Sequence, residues 1–505
     1  MKTTLNTAFV LIFILLTFNL EAGAAPPDFS GGVNNEYQYE EVIFVSGTPI
    51  KFVGSGKDVS IKVSEKDNSR TITYKLKLNS ADPDYPGKLT RSVTYKTTLS
   101  QYSDKGQTTA QMEVDKFSEK IEIGQDKYDL SDYQFSRSDI IDNRPASDYY
   151  SGSLKARKTY VVNKNQGTIT MDISGAMVGY ENFWGKTETQ QLEYVIDCDR
   201  LLIIEDEEEE GTANVSWQGT VSITASDSMT KTLIYAGNQA TLSSFPGGHS
   251  LVTNQDMYSR YDYNLPRIMD GQAGSSRQRG SIELSLEMSP RIERLVVPKF
   301  RDVAGHWAQD DIEKLYSLDV FEGAPSFFAP DAPMTRLDFT RAIVKGANMR
   351  ASLEEEPRRT ARSRTKPVEV SPFVDIATSS PDYQYIKYGV EKGIISGISE
   401  NRFGPDEFLT RAQAITIMVR ALGFENMAPT PGYHTSFADD HAIPNWAIDS
   451  IYVAREIGLV SGDAYNRINP NQELTRGEAS SMLVRFLNFL EQDLQKDYRE
   501  DLVLF

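Results

Sequence analysis

One cysteine, Cys198, stands in a chain of 505 residues, so no disulfide can form within the chain and no cysteine-based zinc site can be built. Four histidines leave little material for metalloenzymes or histidine-dependent triads. Positive charge is also scarce: 53 Lys and Arg face 71 Asp and Glu, a net −18 at neutral pH. That balance argues against nucleic-acid binding, which draws most of its affinity from neutralising phosphates. Long apolar runs are confined to Ala8–Leu20, which follows Lys2 and precedes the small residues Ala22, Gly23 and Ala24. The run is shorter than the roughly 20 residues of a spanning helix. It reads as a signal peptide over residues 1–24, which implies an exported chain with no membrane span after cleavage. The 39% hydrophobic and 25% charged residues are enough to bury real cores. At about 100–200 residues per domain, the length suits two to four domains.

Residues 25–298 have a period of two. Ile72, Tyr74, Leu76 and Leu78 alternate with Thr73, Lys75 and Lys77, and the same holds for Ile169, Met171 and Ile173 and for Leu192, Tyr194, Ile196 and Cys198. Such alternation places the apolar side chains on one face of a half-buried strand. Many strands without helices between them predict a large all-β region, an antiparallel sandwich or barrel, in one or two units.

From Phe300 the period becomes helical, and one order of features occurs three times. Phe300-Arg301-Asp302, Phe373-Val374-Asp375 and Phe437-Ala438-Asp439 open the copies. A helix follows each opening and is expected to end near Gly323, Gly397 or Gly462, where a left-handed residue is needed. Phe328-Ala329-Pro330, Phe403-Gly404-Pro405 and Ile468-Asn469-Pro470 come next, and six residues beyond each proline stand Arg336, Arg411 and Arg476. The copies span 299–350, 369–426 and 427–490, with a polar linker at 351–368 and a tail at 491–505.

Each of these arginines follows a threonine and precedes Asp338, Gln413 or Glu478 by two residues. Threonine with an acid or amide three residues on is a capping box, which accounts for the motif's first and last positions. It does not account for a cation in the first turn, which opposes the helix dipole at about 0.3–1 kcal/mol when exposed. Three such placements suggest an anion pocket, with helix amides and a guanidinium fork aimed together.

The ordered set of motifs resembles the S-layer homology domain, present as a tandem of three over about two fifths of the chain. The resemblance implies an all-α three-repeat assembly with pseudo-threefold symmetry. Its grooves would bind secondary cell-wall polysaccharide, often through a pyruvate-ketal-modified amino sugar, without covalent chemistry or cofactor. Carried over residue by residue, Arg336, Arg411 and Arg476 match the signature arginine, and Trp307 and Trp446 match an aromatic that stacks on sugar. Tyr383 stands near that place in the second copy. Asp302, Asp375 and Asp439 match the opening aspartate. Core packing for the tryptophans and capping for the aspartates are the alternative roles. Because the second copy lacks its tryptophan, loss of Arg336 or Arg476 is expected to weaken wall binding more than loss of Arg411.

The β-rich region offers no catalytic motif. Its one histidine, His249, reads as a solvated turn residue, the acidic run Glu205–Glu210 as a solvated turn, and no metal site stands out. The expectation is a secreted, non-enzymatic cell-wall protein. Its β-rich part would be a structural surface-layer or layer-associated ectodomain, with self-association as a further partner. An adhesin or glycan-binding ectodomain, and then a wall-anchored hydrolase, are the alternatives.

Overall fold

The computed structural model describes residues 31–66, 68–205, 210–236, 248–269, 272–295, 300–321, 326–349, 370–496 and 498. The signal-peptide segment, the polar linker, Gly323 and residues 206–209 of the acidic run lie outside the described residues.

The alternating segments form one antiparallel sheet of fifteen strands among the described residues, not two packed sheets. In chain order these are β1 (Val33–Asn34), β2 (Gln38–Ile43), β3 (Ile50–Ser55), β4 (Val59–Lys66), β5 (Ser69–Ser80), β6 (Gly87–Tyr102), β7 (Gln107–Ile123) and β8 (Asp126–Asn143). Then come β9 (Asp148–Val162), β10 (Gly167–Glu181), β11 (Gly185–Glu205), β12 (Glu210–Ala236), β13 (Gly248–Met269), β14 (Gln272–Glu287) and β15 (Arg291–Arg294). From β5 to β14 each strand pairs with the next, a plain meander; β4 adds to β5 and β15 to β13. The sheet curls until its ends meet through side chains: the Asn34 amide donates to Met257 Sδ at 3.0 Å, and Phe44 lies 5.8 Å from the Tyr261 ring. No ladder joins β1 to β14 among the described residues, so the expected sandwich or barrel is a half-barrel with an open seam.

The alternation decides what the half-barrel encloses. In β6, Leu89, Val93 and Tyr95 are buried inside, while Lys88, Thr90 and Lys96 face out. A polar outer face is the reverse of the lipid-facing band of a membrane barrel. No helix among the described residues is long and apolar enough to cross a membrane.

The second region is helical: α1 (Gln309–Ser317), α2 (Arg336–Gly346), α3 (Tyr383–Glu391), α4 (Arg411–Leu422), α5 (Ile448–Glu456) and α6 (Arg476–Asn488). It is not purely α, because backbone bridges tie its three copies together. Nor is it separate from the sheet. Ala146, Tyr180, Trp184 and Leu251 belong to the same apolar core as the helices, and Trp184 Nε1 donates to the Gly346 carbonyl at 3.0 Å. His249 is buried here, not solvated, with Nδ1 3.2 Å from Ser317 Oγ on α1. The segment read as a tail is also tied in: Thr189 Oγ1 donates to the Tyr498 carbonyl at 2.8 Å, and Gln495 Nε2 to Ser228 Oγ at 2.9 Å.

Candidate functional site: the grooves between the helical repeats

Three backbone bonds close a ring at the centre of the helical region. The amide of Met334 donates to the Leu474 carbonyl, that of Leu474 to Leu409, and that of Leu409 to Met334, at 2.8–2.9 Å. These side chains are fully buried, so the three copies are locked around one pseudo-threefold axis.

Immediately after this ring each copy starts its second helix. Thr335, Thr410 and Thr475 accept from the amides of Asp338, Gln413 and Glu478, and the last two pairs are full capping boxes. The next amides are used as well. Arg336, Arg411 and Arg476 donate their backbone N–H to the carbonyls of Glu407, Gln472 and Ala332 in a neighbouring copy, at 2.8–2.9 Å. The following amides, of Leu337, Ala412 and Gly477, reach the carbonyls of Pro405, Pro470 and Pro330. The donors that leave a helix N-terminus open to an anion are therefore already satisfied, and the expected amide pocket is not formed.

The guanidinium groups differ between copies. Arg336 is buried, donates from Nε to the Phe403 carbonyl at 3.1 Å and from Nη2 to Ser396 at 2.9 Å, and lies over the Phe403 ring. Arg476 repeats the pattern one copy on, with Nε to the Phe328 carbonyl at 3.0 Å, a 3.4 Å contact to Asp338 and the Phe328 ring at 4.5 Å. In the third interface the ring is replaced by Ile468, and the buried Nε of Arg411 has no acceptor among the described residues. Burial pulls all three arginines below their ordinary pKa.

Because each second helix packs against the first helix of a neighbouring copy, α6 meets α1, α2 meets α3, and α4 meets α5. Trp307, just before α1, is 64% exposed, and Trp446, in the turn leading into α5, is 54% exposed. Core packing for the tryptophans is thus excluded. Tyr383 is 7% exposed and belongs to the core, while the exposed Pro381 occupies the tryptophan's register one residue before the N-cap. Arg476 therefore opens the helix that packs against the one led by Trp307, Arg411 the helix that packs against the one led by Trp446, and Arg336 a helix whose partner has no tryptophan. The copy without a tryptophan faces Arg336, not Arg411, contrary to the premise of the expected ranking.

Each opening aspartate clamps the loop of its own copy. Asp302 accepts from the amides of Phe328 and Ala329, Asp375 from Phe403 and Gly404, and Asp439 from Ile468 and Asn469, at 2.6–2.9 Å. Burial alone would raise the carboxyls of Asp302 and Asp375, but the two amides hold them below the usual aspartate value. A depressed folded pKa gives stability that is present above the unfolded value and lost as pH falls through the folded one. Acidification below about pH 4 is therefore expected to loosen these loops. Asp375→Asn should cost about 0.5–1.5 kcal/mol for the hydrogen bond lost and flatten that part of the acid limb, read by thermal unfolding against pH.

Of the glycines expected to end the helices, the described Gly397 and Gly462 do not take the left-handed conformation. The left-handed residues are Asp319, Gly393 and Gly458, at φ of +57°, +70° and +73°, four positions before Gly323, Gly397 and Gly462. Gly397 is needed for close approach, since a Cβ there would lie 2.4 Å from the Ser399 carbonyl oxygen.

Residues 299–340, 372–415 and 436–480 match the S-layer homology domain family. The chain carries three tandem S-layer homology domains. It is a cell-surface protein anchored by these repeats. Similar proteins include an endoglucanase of Bacillus sp. (strain KSM-635), 32% identical over 149 residues, which is 28% of this chain and 15% of that protein. A cell surface protein of Thermoanaerobacter kivui is 30% identical over 128 residues, 25% of this chain and 17% of that protein. The S-layer protein EA1 of Bacillus anthracis is 30% identical over 130 residues, covering 24% and 14%. The chain thus spans about a sixth of the length of these relatives, and the enzyme-named ones share only the S-layer homology region.

Proposed function

We propose that the S-layer homology domains hold the chain on an acidic secondary cell-wall polysaccharide through two unequal grooves. Trp307 beside Arg476 forms one and Trp446 beside Arg411 the other, while the interface around Arg336 is structural. The single observation carrying this reading is the exposure of both indoles beside first helices against which the arginine-bearing second helices pack. An indole face suits the C–H face of a sugar, and a half-buried arginine suits a carboxylate such as a pyruvate ketal. The half-barrel is then a non-enzymatic surface-layer or layer-associated ectodomain, carried rigidly because it shares a core with its anchor. The endoglucanase is similar to this chain in the S-layer homology region alone, so its name carries no weight in this reading.

Cosedimentation of arginine variants with cell-wall sacculi tests the groove assignment. Arg411→Ala and Arg476→Ala are expected to weaken binding about tenfold, the loss of one charge-assisted contact. Arg336→Ala should leave the affinity of the folded protein unchanged and lower its stability by about 1–3 kcal/mol, since it orphans the buried Phe403 carbonyl. Equal affinity losses at all three positions would reject the assignment. The net charge of −18 repels an acidic polymer at long range, so raising the salt should not strip the protein from the wall.

A further inference from the structure

Where the half-barrel meets the helices there is an open cleft of roughly 1280 Å³. The β6–β7, β8–β9 and β10–β11 turns form one wall, and the C-terminal ends of α2, α3 and α4 form the other. It lies apart from the grooves described above, which open at the N-terminal ends of the second helices.

The charges lining this cleft are unevenly matched. Its carboxylates have partners: Glu425 is held by Arg420 at 2.7 Å, Glu181 by Lys186 and Glu391 by Lys387 at 4.0 Å, and Asp148 accepts from Asn143 Nδ2 at 3.0 Å. Its lysines do not. Lys105, Lys231 and Lys392 form no ion pair among the described residues, and each lies over an aromatic ring instead: Tyr102 at 5.9 Å, Phe183 at 3.8 Å and Tyr388 at 5.8 Å. Lys231 is partly buried, and that burial draws its pKa down, so an anion beside it would relieve a standing cost. In a chain with 71 acidic residues, three ammonium groups without a close carboxylate stand around one cavity, where Glu293 acts on Lys231 and Asp148 on Lys392 only from beyond ion-pair distance.

Other lining groups specify the rest of the ligand. The side chains of Gln101, Asn348 and Asn426 face the cleft with no hydrogen-bond partner among the described residues. Amides of this kind offer paired donor and acceptor edges, the usual match for hydroxyl groups. We infer that the cleft binds an anionic oligosaccharide, its carboxylate or phosphate groups seated on Lys105, Lys231 and Lys392 and its hydroxyls on the amides. The inference does not depend on the groove reading.

The test is calorimetric titration of the full chain with three probes of similar length: an oligogalacturonate, a glycerol-phosphate oligomer and a neutral glucan oligosaccharide. One or both anionic probes should bind, and the one that binds identifies carboxylate or phosphate as the natural group. The neutral probe should not bind measurably. Affinity should fall as salt rises. Changing Lys105→Ala, Lys231→Met and Lys392→Ala together should weaken binding by at least about tenfold. Lys231→Met keeps the stem over Phe183, and circular dichroism checks the fold. Should the triple variant fail to fold, the exposed Lys392→Glu alone should weaken binding several-fold. The folded lysine variant should lose the probe yet pellet with sacculi like the native chain, which separates the two sites. The inference is overturned by no binding of either anionic probe, by equal binding of the neutral one, or by undiminished affinity in a folded lysine variant.

Discussion

Arg91→Met is expected to destabilise the half-barrel by about 3–5 kcal/mol at neutral pH, because removing one partner of a buried pair strands the other. Arg91 on β6 is 2% exposed, bonds to Glu119 on β7, and reaches Glu41 on β2 at 2.8 Å. Glu119 also accepts from Tyr160 at 2.7 Å and lies 3.7 Å from Lys158. Burial would drive the Glu119 carboxyl up, but Arg91 and Lys158, with the two hydrogen bonds, hold it at about 2. In the native protein this contribution is complete above the ordinary glutamate pKa of about 4.5 and is lost as pH falls toward about 2. In the variant Glu119 loses its main clamp, so the penalty should be largest at neutral pH and shrink toward pH 4–5, where the stranded carboxyls take up protons. Urea unfolding of both proteins from pH 4 to 8 measures it. A variant as stable as the native chain at pH 7 would mean that methionine packing offsets the ion pair.

Replacing Trp307 and Trp446 together by alanine is expected to weaken wall binding by about a hundredfold, with little change in unfolding. Each indole is more than half exposed, so removing it takes away little core packing. Loss of a stacking anchor at a binding surface costs about 1–2 kcal/mol, roughly tenfold per site. Two grooves engaging one polymer multiply their losses, since the second contact is intramolecular. The single variants should each lose about tenfold. Sacculus-binding isotherms give the affinities, and a thermal melt of each variant separates lost contact from lost fold. A double variant that pellets like the native chain would remove the indoles from the account.

The sequence showed most of the local structure and little of the long-range pairing. The period-two runs through Ile72–Leu78 and Leu192–Cys198 are strands with those side chains inside, because alternation and burial express the same geometry. The three threonine caps were equally legible, since a cap is settled within four residues. The partner of each signature arginine was not legible. Arg336 reaches Phe403, 67 positions away, and nothing local to Thr335-Arg336 specifies that its helix serves the next copy. That crossing sets the copy without a tryptophan beside Arg336. His249 looked like a solvated turn because its neighbour on α1, Ser317, is 68 positions distant. The helix ends were misplaced because Asp319 takes the left-handed conformation that Gly393 and Gly458 take in the other copies, so no glycine common to all three copies marks that residue. The curl of the sheet depends on contacts such as Phe44 with Tyr261, which alternation cannot reveal.

The shared core also fixes the form of the decisive experiment. Cutting the chain between its regions would bare Tyr180, Trp184 and Leu251, so the full-length protein must be used. The most direct measurement is cosedimentation of that protein with purified sacculi, before and after chemical extraction of the secondary polysaccharide. Pelleting with intact sacculi is expected, persisting at raised salt and lost once the polysaccharide is gone. Equal pelleting with extracted sacculi would contradict it and transfer the binding to the remaining wall.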